Sequence, residues 1–339
     1  MIREVFKYRD GFIFESGERL EELDIVYHHT GNRRPGREVI WICHALTANS
    51  NPEEWWDGLV GPGKLFDTLK YYIICANMIG SCYGSSGPST LSPSGEPYLL
   101  SFPQVTVRDI VKAHNLLREE LRIENIDLIA GGSIGGFQAL EWSIMFPGII
   151  RNLLVIACNA RVSAWGTAFN ESQRMALFAD STFAEAKNIR GGERGLRGAR
   201  SIALISYRSY KGYYLTQSEK DEDALFAEMA CSYQQYQGKK LSDRFDAYSY
   251  YTLTRSVDSH NCGRGRGGVE KALDKIMANT VVMGIDSDNL FPVEEQKLLH
   301  KYIKNSKLEL LESEWGHDGF LLEWEQTQKI VKRHINFIS

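Results

Sequence analysis

Residues 126–145 of the chain, IDLIAGGSIGGFQALEWSIM, contain the feature that decides the fold. The apolar run Ile126–Ala130 leads into Gly131-Gly132-Ser133-Ile134-Gly135-Gly136, and a helical pattern over Phe137–Met145 follows. These six glycine-rich residues contain a G-x-S-x-G motif. When this motif joins a strand to a helix, it indicates a nucleophilic serine. Small neighbours are needed because such a sharp turn strains the backbone of the serine. We therefore predict that Ser133 is a nucleophile; the alternatives are a non-catalytic glycine-rich turn or a phosphate-binding loop.

Short apolar runs recur on both sides of this motif, and most show no polar alternation. Such runs indicate strands buried on both faces, as in a parallel sheet covered by helices. The clearest helical pattern is Thr106–Leu121, where Thr106 and Asp109 form a start signal. With the serine motif, this alternation predicts the α/β-hydrolase fold, a mostly parallel sheet flanked by helices. The other predicted strands are Val39–Cys43, Tyr71–Cys75, Leu153–Ala157, Thr280–Gly284 and Lys307–Leu311.

Residues 163–272 interrupt the pattern, because they are rich in Ala, Glu, Arg, Gln and Tyr and lack a convincing buried strand. We interpret them as an inserted helical segment, called the lid below, with Leu196–Tyr207 and Glu222–Gln237 as its best helices. The hydrolase core would then comprise residues 1–162 and 273–339.

A catalytic base is expected downstream of Ser133, because this fold orders its triad as serine, acid and histidine. His260, His300 and His334 fall in the lid or in helical stretches and are interpreted as surface or packing residues. His317 lies in a turn after the last predicted strand, where the base should lie. We predict that His317 is the base.

Two aspartates compete to orient this histidine, in the segment GIDSDNLFP at 284–292. The acid of this fold commonly stands a few residues before a proline. Asp288 is four residues before Pro292 and Asp286 is six, so Asp288 is preferred.

An oxyanion hole needs two N–H donors. One is expected from Ile134, directly after the nucleophile, and the other from Leu46, in the turn after Val39–Cys43. His44, in the same turn, is interpreted as structural because the base is already assigned.

Bulk composition excludes several classes of function. The chain has 339 residues with 39 basic and 43 acidic side chains, a net charge of −4 that gives no attraction for nucleic acid or anionic membranes. The amino-terminal sequence has no apolar signal core, and no stretch approaches the ~18 apolar residues of a spanning helix. Six scattered cysteines favour neither a metal site nor a disulfide framework. We expect a cytoplasmic protein without a membrane or nucleic-acid partner.

Motifs spread over most of the chain resemble the homoserine O-acetyltransferases of methionine biosynthesis. The tryptophan-rich and lid motifs are more specific than the serine motif. The matching stretches are HALT (44–47), WWDGLVGPG (55–63), NMIGSCYGSSGP (77–88), FP (102–103) before TVRD (106–109), GGSIGG with QALEW (138–142), AFNE (168–171), Ala199-Arg200, Tyr207 with Ser209, YQG (236–238), RFD (244–246), SDNLFP (287–292) and GHDGF (316–320).

The resemblance implies transfer of an acetyl group from acetyl-CoA, as a substrate, to the hydroxyl of L-homoserine by a ping-pong reaction through acyl-Ser133. It implies that Arg200 holds the carboxylate of the amino acid and that Asp318 holds its ammonium group. It requires no metal or other cofactor, and it implies a homodimer formed through the lid. Six lid tyrosines, at positions 207, 210, 213, 214, 233 and 236, fit either a dimer interface or a lining of the active-site tunnel.

Several positions depart from the family pattern and keep other reactions open. Ile134 and Ser201 stand where methionine is usual, Tyr248 where asparagine is frequent, and Asn261 where aspartate is usual. A relative that uses succinyl-CoA or serine, an esterase or thioesterase with water as acceptor, and a non-catalytic binding protein remain the alternatives.

Overall fold

A computed structural model describes residues 1–34 and 36–338. Its centre is an eight-stranded sheet in the order β1-β4-β6-β5-β7-β8-β9-β10, and β2 and β3 form a separate antiparallel pair. Neighbours from β6 to β10 are parallel, whereas β4 is antiparallel to both β1 and β6. The strands are β1 (Ile2–Tyr8), β2 (Phe12–Ile13), β3 (Arg19–Leu20), β4 (Leu23–His29), β5 (Val39–Cys43), β6 (Tyr72–Ala76), β7 (Leu128–Gly132), β8 (Asn152–Ile156), β9 (Asn279–Ile285) and β10 (Ser306–Leu311).

Helices cover the sheet and fill the segment between β8 and β9. Short 3₁₀ turns at Leu99–Ser101 and Gly316–Asp318 add to them. The helices are α1 (Pro52–Trp55), α2 (Val107–Glu120), α3 (Ile134–Met145), α4 (Ala164–Phe178), α5 (Ser181–Glu185), α6 (Glu193–Tyr207), α7 (Tyr210–Gln217), α8 (Met229–Ser242), α9 (Ala247–Asp258), α10 (Val269–Leu273), α11 (Val293–Tyr302), α12 (Gly319–Leu322) and α13 (Trp324–His334).

The predicted fold class is confirmed, because the sheet is mostly parallel and flanked by helices. The six predicted strands are β5 to β10, with ends shifted by at most two residues. The four antiparallel strands β1 to β4 were not predicted. In β1 most side chains are exposed, so it lacks the apolar run by which the other strands were recognised.

Strand β7 shows why the central runs lack polar alternation. Leu128 and Ala130 belong to the apolar core on one face of the sheet, and Ile129 belongs to the core on the other. All three are fully buried. At the sheet edge the prediction of burial on both faces is wrong: β10 pairs only with β9, and among its residues only Leu311 is buried.

The helical predictions were best where a capping signal was present. Thr106 caps α2: its side chain accepts from the Asp109 N–H, and the Asp109 carboxylate accepts from the Thr106 N–H. In the lid, the predicted helix Glu222–Gln237 is wrong at its start, since α8 begins only at Met229. Among the described residues, no helix has the length and apolar character to cross a bilayer.

The segment between β8 and β9 holds helices α4 to α10. Helix α6 packs between α4 and α8, and it also contacts the 3₁₀ turn Gly316–Asp318. The lid therefore touches the loops at the carboxyl ends of the central strands.

Candidate active site

Ser133 occupies the turn between β7 and α3. Its backbone has a φ of +59°, a left-handed conformation that costs a non-glycine residue on the order of 1–3 kcal/mol. The Ser133 N–H donates to Ile156 O at 3.0 Å, and Ser133 O accepts from the Phe137 N–H at 3.2 Å. The turn is therefore anchored to β8 on one side and to α3 on the other.

Two glycines let α3 approach the strands this closely. A Cβ on Gly131 would lie 2.3 Å from the backbone of Gly135, and a Cβ on Gly135 would lie 2.3 Å from Cys43 O. Both distances are impossible for carbon atoms in van der Waals contact. The motif thus brings the ends of β7 and β5 to the amino end of α3.

Asp288 and His317 are in direct contact. His317 Nδ1 donates to Asp288 Oδ2 at 2.7 Å, and both side chains are buried. Asp288 Oδ1 accepts from the N–H groups of Leu290 and Phe291 at 2.8 and 3.0 Å. Both carboxylate oxygens have partners, so the carboxylate is fixed in an orientation that holds the imidazole.

The other nitrogen of His317 is available. Nε2 is buried and has no hydrogen-bond partner among residues 1–34 and 36–338, and Ser133 does not bond to it. The rings of Tyr207, Phe291 and Phe320 lie 5.2 to 5.8 Å from the imidazole. Tyr207 and Phe291 also line the cavity that contains Ser133, so this cavity adjoins the histidine.

The pKa of His317 reflects two opposing causes. Burial disfavours the imidazolium and lowers the pKa, but the charge of Asp288, the hydrogen bond to its carboxylate and the charge of Asp318 together raise it further than burial lowers it. The net pKa is therefore above the ordinary value for histidine. Such a residue is a stronger base than an unpaired buried histidine.

Asp286, the competing aspartate, has a different partner. Its Oδ1 accepts from the Ser313 N–H at 3.0 Å, which joins the loop after β9 to the loop after β10. No hydrogen bond links Asp286 to His317 among the described residues.

A cavity of about 30 Å³ adjoins Ser133. Ile134 is the first residue of α3, so its N–H has no acceptor within the helix. Leu46 lines the same cavity from the turn after β5. The structure thus brings Ser133, Ile134 and Leu46 together around one space.

Arg200 lies on α6 and contacts Tyr207, one of the residues that line this space. Its guanidinium lies over the ring of Tyr207, 5.5 Å from the centroid, and it forms no ion pair with a described carboxylate. A partly buried cation without a counter-ion attracts an anionic ligand, and a guanidinium can bind a carboxylate through two parallel hydrogen bonds.

Asp318 follows His317, and it is not free: its Oδ2 lies 3.0 Å from Nε of Arg208. Arg208 was not predicted as a site residue. It lies between Tyr207 and Ser209, which both belong to the lid motifs of the resembled family. This adjacency is the only feature of the sequence that pointed to Arg208. The two arginines differ, since one has a carboxylate partner and the other does not.

A buried cluster near the site offers metal-ligand atoms but does not suit a metal. Glu141, His260 and Cys262 place one such atom each within 4.8 Å of one another. However, Glu141 already binds Arg266 through two contacts of 2.7 and 3.0 Å, and Arg108 Nε lies 3.4 Å away. Two guanidinium groups neutralise the carboxylate and would repel a divalent cation.

The chain resembles known proteins over nearly its whole length. Residues 38–323 match the family model described as the alpha/beta hydrolase fold. The homoserine O-acetyltransferase of Cyclobacterium marinum is 41% identical over 334 residues, which cover 98% of this chain and 95% of that protein.

Two solved structures extend the comparison. The crystal structure of homoserine O-acetyltransferase from Staphylococcus aureus has a TM-score of 0.82 at 30% identity, covering 99% of this chain and 95% of that one. The acetyl esterase MekB has a TM-score of 0.86 at 25% identity, covering 100% and 96%. One scaffold therefore serves an acetyltransferase and an esterase.

Because the two aspartates have different partners, substituting Asp288 should reduce activity far more than substituting Asp286. Asp288→Asn removes the charge that favours protonated His317 and allows the wrong imidazole tautomer, so turnover should fall by ~10⁴-fold. Because activity needs neutral His317, a lower pKa should also move the acidic limb of the rate profile to lower pH. Initial rates of the purified variant across the pH range measure both effects.

Asp286→Asn is the matched control. An asparagine oxygen can still accept from the Ser313 N–H, so this variant should keep most of its activity and the wild-type pH profile. If Asp286→Asn loses more activity than Asp288→Asn, the assignment of the acid is wrong.

Proposed function

The chain belongs to the homoserine O-acetyltransferase family of the α/β-hydrolase fold, and from this membership we propose that it transfers an acetyl group from acetyl-CoA to the hydroxyl of L-homoserine. The reaction would serve methionine biosynthesis. The observation that carries the proposal is the placement of Arg200, a cation with no described carboxylate partner, over the ring of Tyr207. That ring contacts His317 of the buried Asp288–His317 pair and lines the cavity of the strained Ser133.

The first half-reaction forms an acyl-enzyme. His317 takes the proton of the Ser133 hydroxyl while Ser133 Oγ attacks the thioester carbonyl. The N–H groups of Ile134 and Leu46 stabilise the oxyanion, which is typically worth ~3–4 kcal/mol per donor. The carbon–sulfur bond then breaks, His317 returns the proton to the leaving thiolate, and CoA departs.

The second half-reaction repeats the chemistry with an alcohol. His317 removes the proton of the homoserine hydroxyl as its oxygen attacks the acyl-Ser133 carbonyl. The tetrahedral intermediate collapses, the bond to Ser133 Oγ breaks, and His317 reprotonates the serine. Water could replace the alcohol in this step, so transfer depends on how the acceptor is held.

Acceptor recognition is assigned to two charged side chains. Arg200 would hold the carboxylate of the amino acid by a bidentate pair. Asp318 would hold the ammonium group through Oδ1, because Oδ2 is paired with Arg208. The net charge of the Arg208–Asp318 pair is zero, so Arg200 would supply the unbalanced positive charge for the carboxylate.

The cavity at Ser133 favours acetyl over succinyl. It is small, about 30 Å³, and of the described residues that line it none is lysine or arginine. A succinyl group is larger than an acetyl group and would bring a carboxylate among lining side chains that carry no positive charge, and burying such a charge is costly. The methyl group of an acetyl chain would instead contact apolar side chains such as Phe137 and Leu290.

We also propose the homodimer through the lid. Tyr207 lies in the active site, but Tyr210, Tyr214 and Leu225 are exposed by 84%, 64% and 87%. Exposed apolar side chains in this number are typical of an interaction surface. The cytoplasmic location stays a prediction of the sequence.

The second candidate is an esterase, favoured by the similarity to the acetyl esterase MekB. The same Ser133, His317 and Asp288 would act, with water as the acceptor. The unpaired guanidinium of Arg200 argues against it, because a simple acetyl ester has no carboxylate for that group.

Thiol release from acetyl-CoA distinguishes these functions. We expect rapid release only when L-homoserine is present, and slower release with L-serine or with succinyl-CoA as donor. Ser133→Ala should abolish release and keep the fold, since one small residue replaces another. Equal release without an acceptor would establish a hydrolase, and substantial activity in Ser133→Ala would exclude Ser133 as the nucleophile.

Arg200→Ala tests acceptor recognition. Formation of acetyl-Ser133 should stay nearly unchanged, while KM for homoserine should rise ~10- to 100-fold, because hydrogen bonds to charged groups are worth about 1.5–3 kcal/mol. Arg200→Lys should recover only part of this loss. Stopped-flow CoA release and steady-state acylation measure the two half-reactions separately.

Arg197→Ala is the matched control on the same helix. Arg197 is already paired with Glu193, so both half-reactions should keep their wild-type rates. If acylation of Ser133 falls as far as transfer in Arg200→Ala, then Arg200 has a structural role and does not hold the carboxylate.

The dimer is tested by light scattering at micromolar concentration. The measured mass should be about twice the 38.5 kDa of one chain. Replacing Tyr214 and Leu225 together by glutamate should yield monomers, because charges would enter the apolar interface. The control is Leu69→Glu. Leu69 is an exposed leucine outside the lid, so this change should leave the dimer intact. A wild-type monomer would contradict the proposal.

A further inference from the structure

Two buried histidines outside the catalytic triad are joined through backbone peptides to the turn that contains Leu46. We propose that His114 and His44 are positioning residues that orient and polarise the Leu46 N–H toward the oxyanion. This inference rests on the proposed function, because it assigns the residues that support one donor of its oxyanion hole. Neither histidine would touch the substrate.

A chain of hydrogen bonds, called the relay below, runs from His114 through the Asn77–Met78 peptide and His44 to the Ala45–Leu46 peptide. It begins at His114, on α2. Its Nε2 donates to Asn77 O at 3.1 Å, and the same oxygen accepts from Ser85 Oγ at 3.1 Å. Asn77 O and the Met78 N–H belong to one peptide unit. A carbonyl that accepts hydrogen bonds makes the N–H of its own peptide a stronger donor.

The polarised Met78 N–H in turn donates to His44. It donates to His44 Nε2 at 3.0 Å, and His44 Nδ1 donates to Ala45 O at 2.9 Å. These two contacts fix the tautomer, because Nε2 must carry the lone pair and Nδ1 the proton. His44 is fully buried, so the ring has no competing contact with water.

The last peptide of the relay joins Ala45 to Leu46. In a trans peptide the C=O and N–H groups point in opposite directions, and the described chain has no cis peptide bond. Ala45 O is held by His44 and by the Ala48 N–H, at 2.9 and 3.0 Å. Because Ala45 O and the Leu46 N–H belong to one peptide unit, fixing this oxygen fixes the direction of the N–H, which points away from His44.

Both histidines remain neutral, as the relay requires. Burial lowers the pKa of His44 to about 4 and that of His114 to about 4. A protonated His44 could not accept from the Met78 N–H. The direction of donation is therefore the same at every step from His114 to Leu46.

The turn is also held against the nucleophile helix. Gln138 Nε2, on α3, donates to His44 O at 3.2 Å, and the backbone at Cys43 lies against Gly135. The peptide of Leu46 and the first N–H of α3 are thus fixed relative to each other. An oxyanion hole needs this preorganisation, because donors that must reorient stabilise the transition state less.

The test reads the hydrogen bonds to the acyl carbonyl directly. Carbon-13-labelled acetyl-CoA without an acceptor should load Ser133, and infrared difference spectra should show the carbonyl band of the acetyl-enzyme. His44→Asn should shift this band to higher wavenumber, because the carbonyl then receives a weaker hydrogen bond. Its acylation rate should fall ~10–100-fold with KM for acetyl-CoA unchanged, less than the ~10²–10³ lost with a whole oxyanion donor.

His114 provides a second, more distant pair of variants. His114→Leu removes the first donor and should shift the band in the same direction by a smaller amount. His114→Gln can still donate to Asn77 O and should restore the wild-type band. This pair decides the question if His44→Asn does not fold.

His29→Leu is the matched control for the loss of a buried histidine. His29 lies on β4, and its Nδ1 donates to Gly31 O at 3.0 Å, outside the relay. Its band should match the wild type. The proposal is overturned if the relay variants keep the wild-type band, or if His29→Leu shifts it equally. A wild-type enzyme that traps no acetyl group would contradict the proposed function as well.

Discussion

The close approach of α3 to the ends of β5 and β7 is the constraint on which the active site depends. Gly135 allows the backbone of Cys43 to reach the first turn of α3, and Gly131 allows the helix to start directly above its strand. One side chain at either position would separate Ser133 from the turn that holds Leu46. The strained backbone of Ser133 is stabilised by the same packing, since its N–H and C=O are bonded to β8 and α3.

Much of this arrangement could be predicted from the sequence, because the decisive features are local. The strand, turn and helix around Ser133 lie within twenty residues, and the position of Asp288 before Pro292 separated it from Asp286. The exposed strand β1 could not be recognised, since its place is set by pairing with β4 and not by apolar burial. Arg208 was missed because its ion pair with Asp318 joins positions far apart in sequence.

Two pairs of like residues around the site divide two tasks between them. Asp286 ties together the loops that follow β9 and β10, while Asp288 holds the histidine. Arg208 is paired with Asp318, while Arg200 keeps its charge unbalanced. In each pair, one member joins two parts of the structure, and the other is left to hold the histidine or to keep its charge unbalanced.

The position of the lid between β8 and β9 has a consequence for synthesis on the ribosome. Strand β9 pairs in parallel with β8, but residues 157–278 must be translated between them. At about 5–20 residues per second this takes roughly 6 to 24 s. During this time the edge of β8 that later pairs with β9 has no partner strand. Ser133 emerges early and His317 near the end, so the residues proposed for acyl transfer come together only when the chain is nearly complete. The price of an inserted lid is a long interval in which an unpaired sheet edge is open to aggregation or to a chaperone.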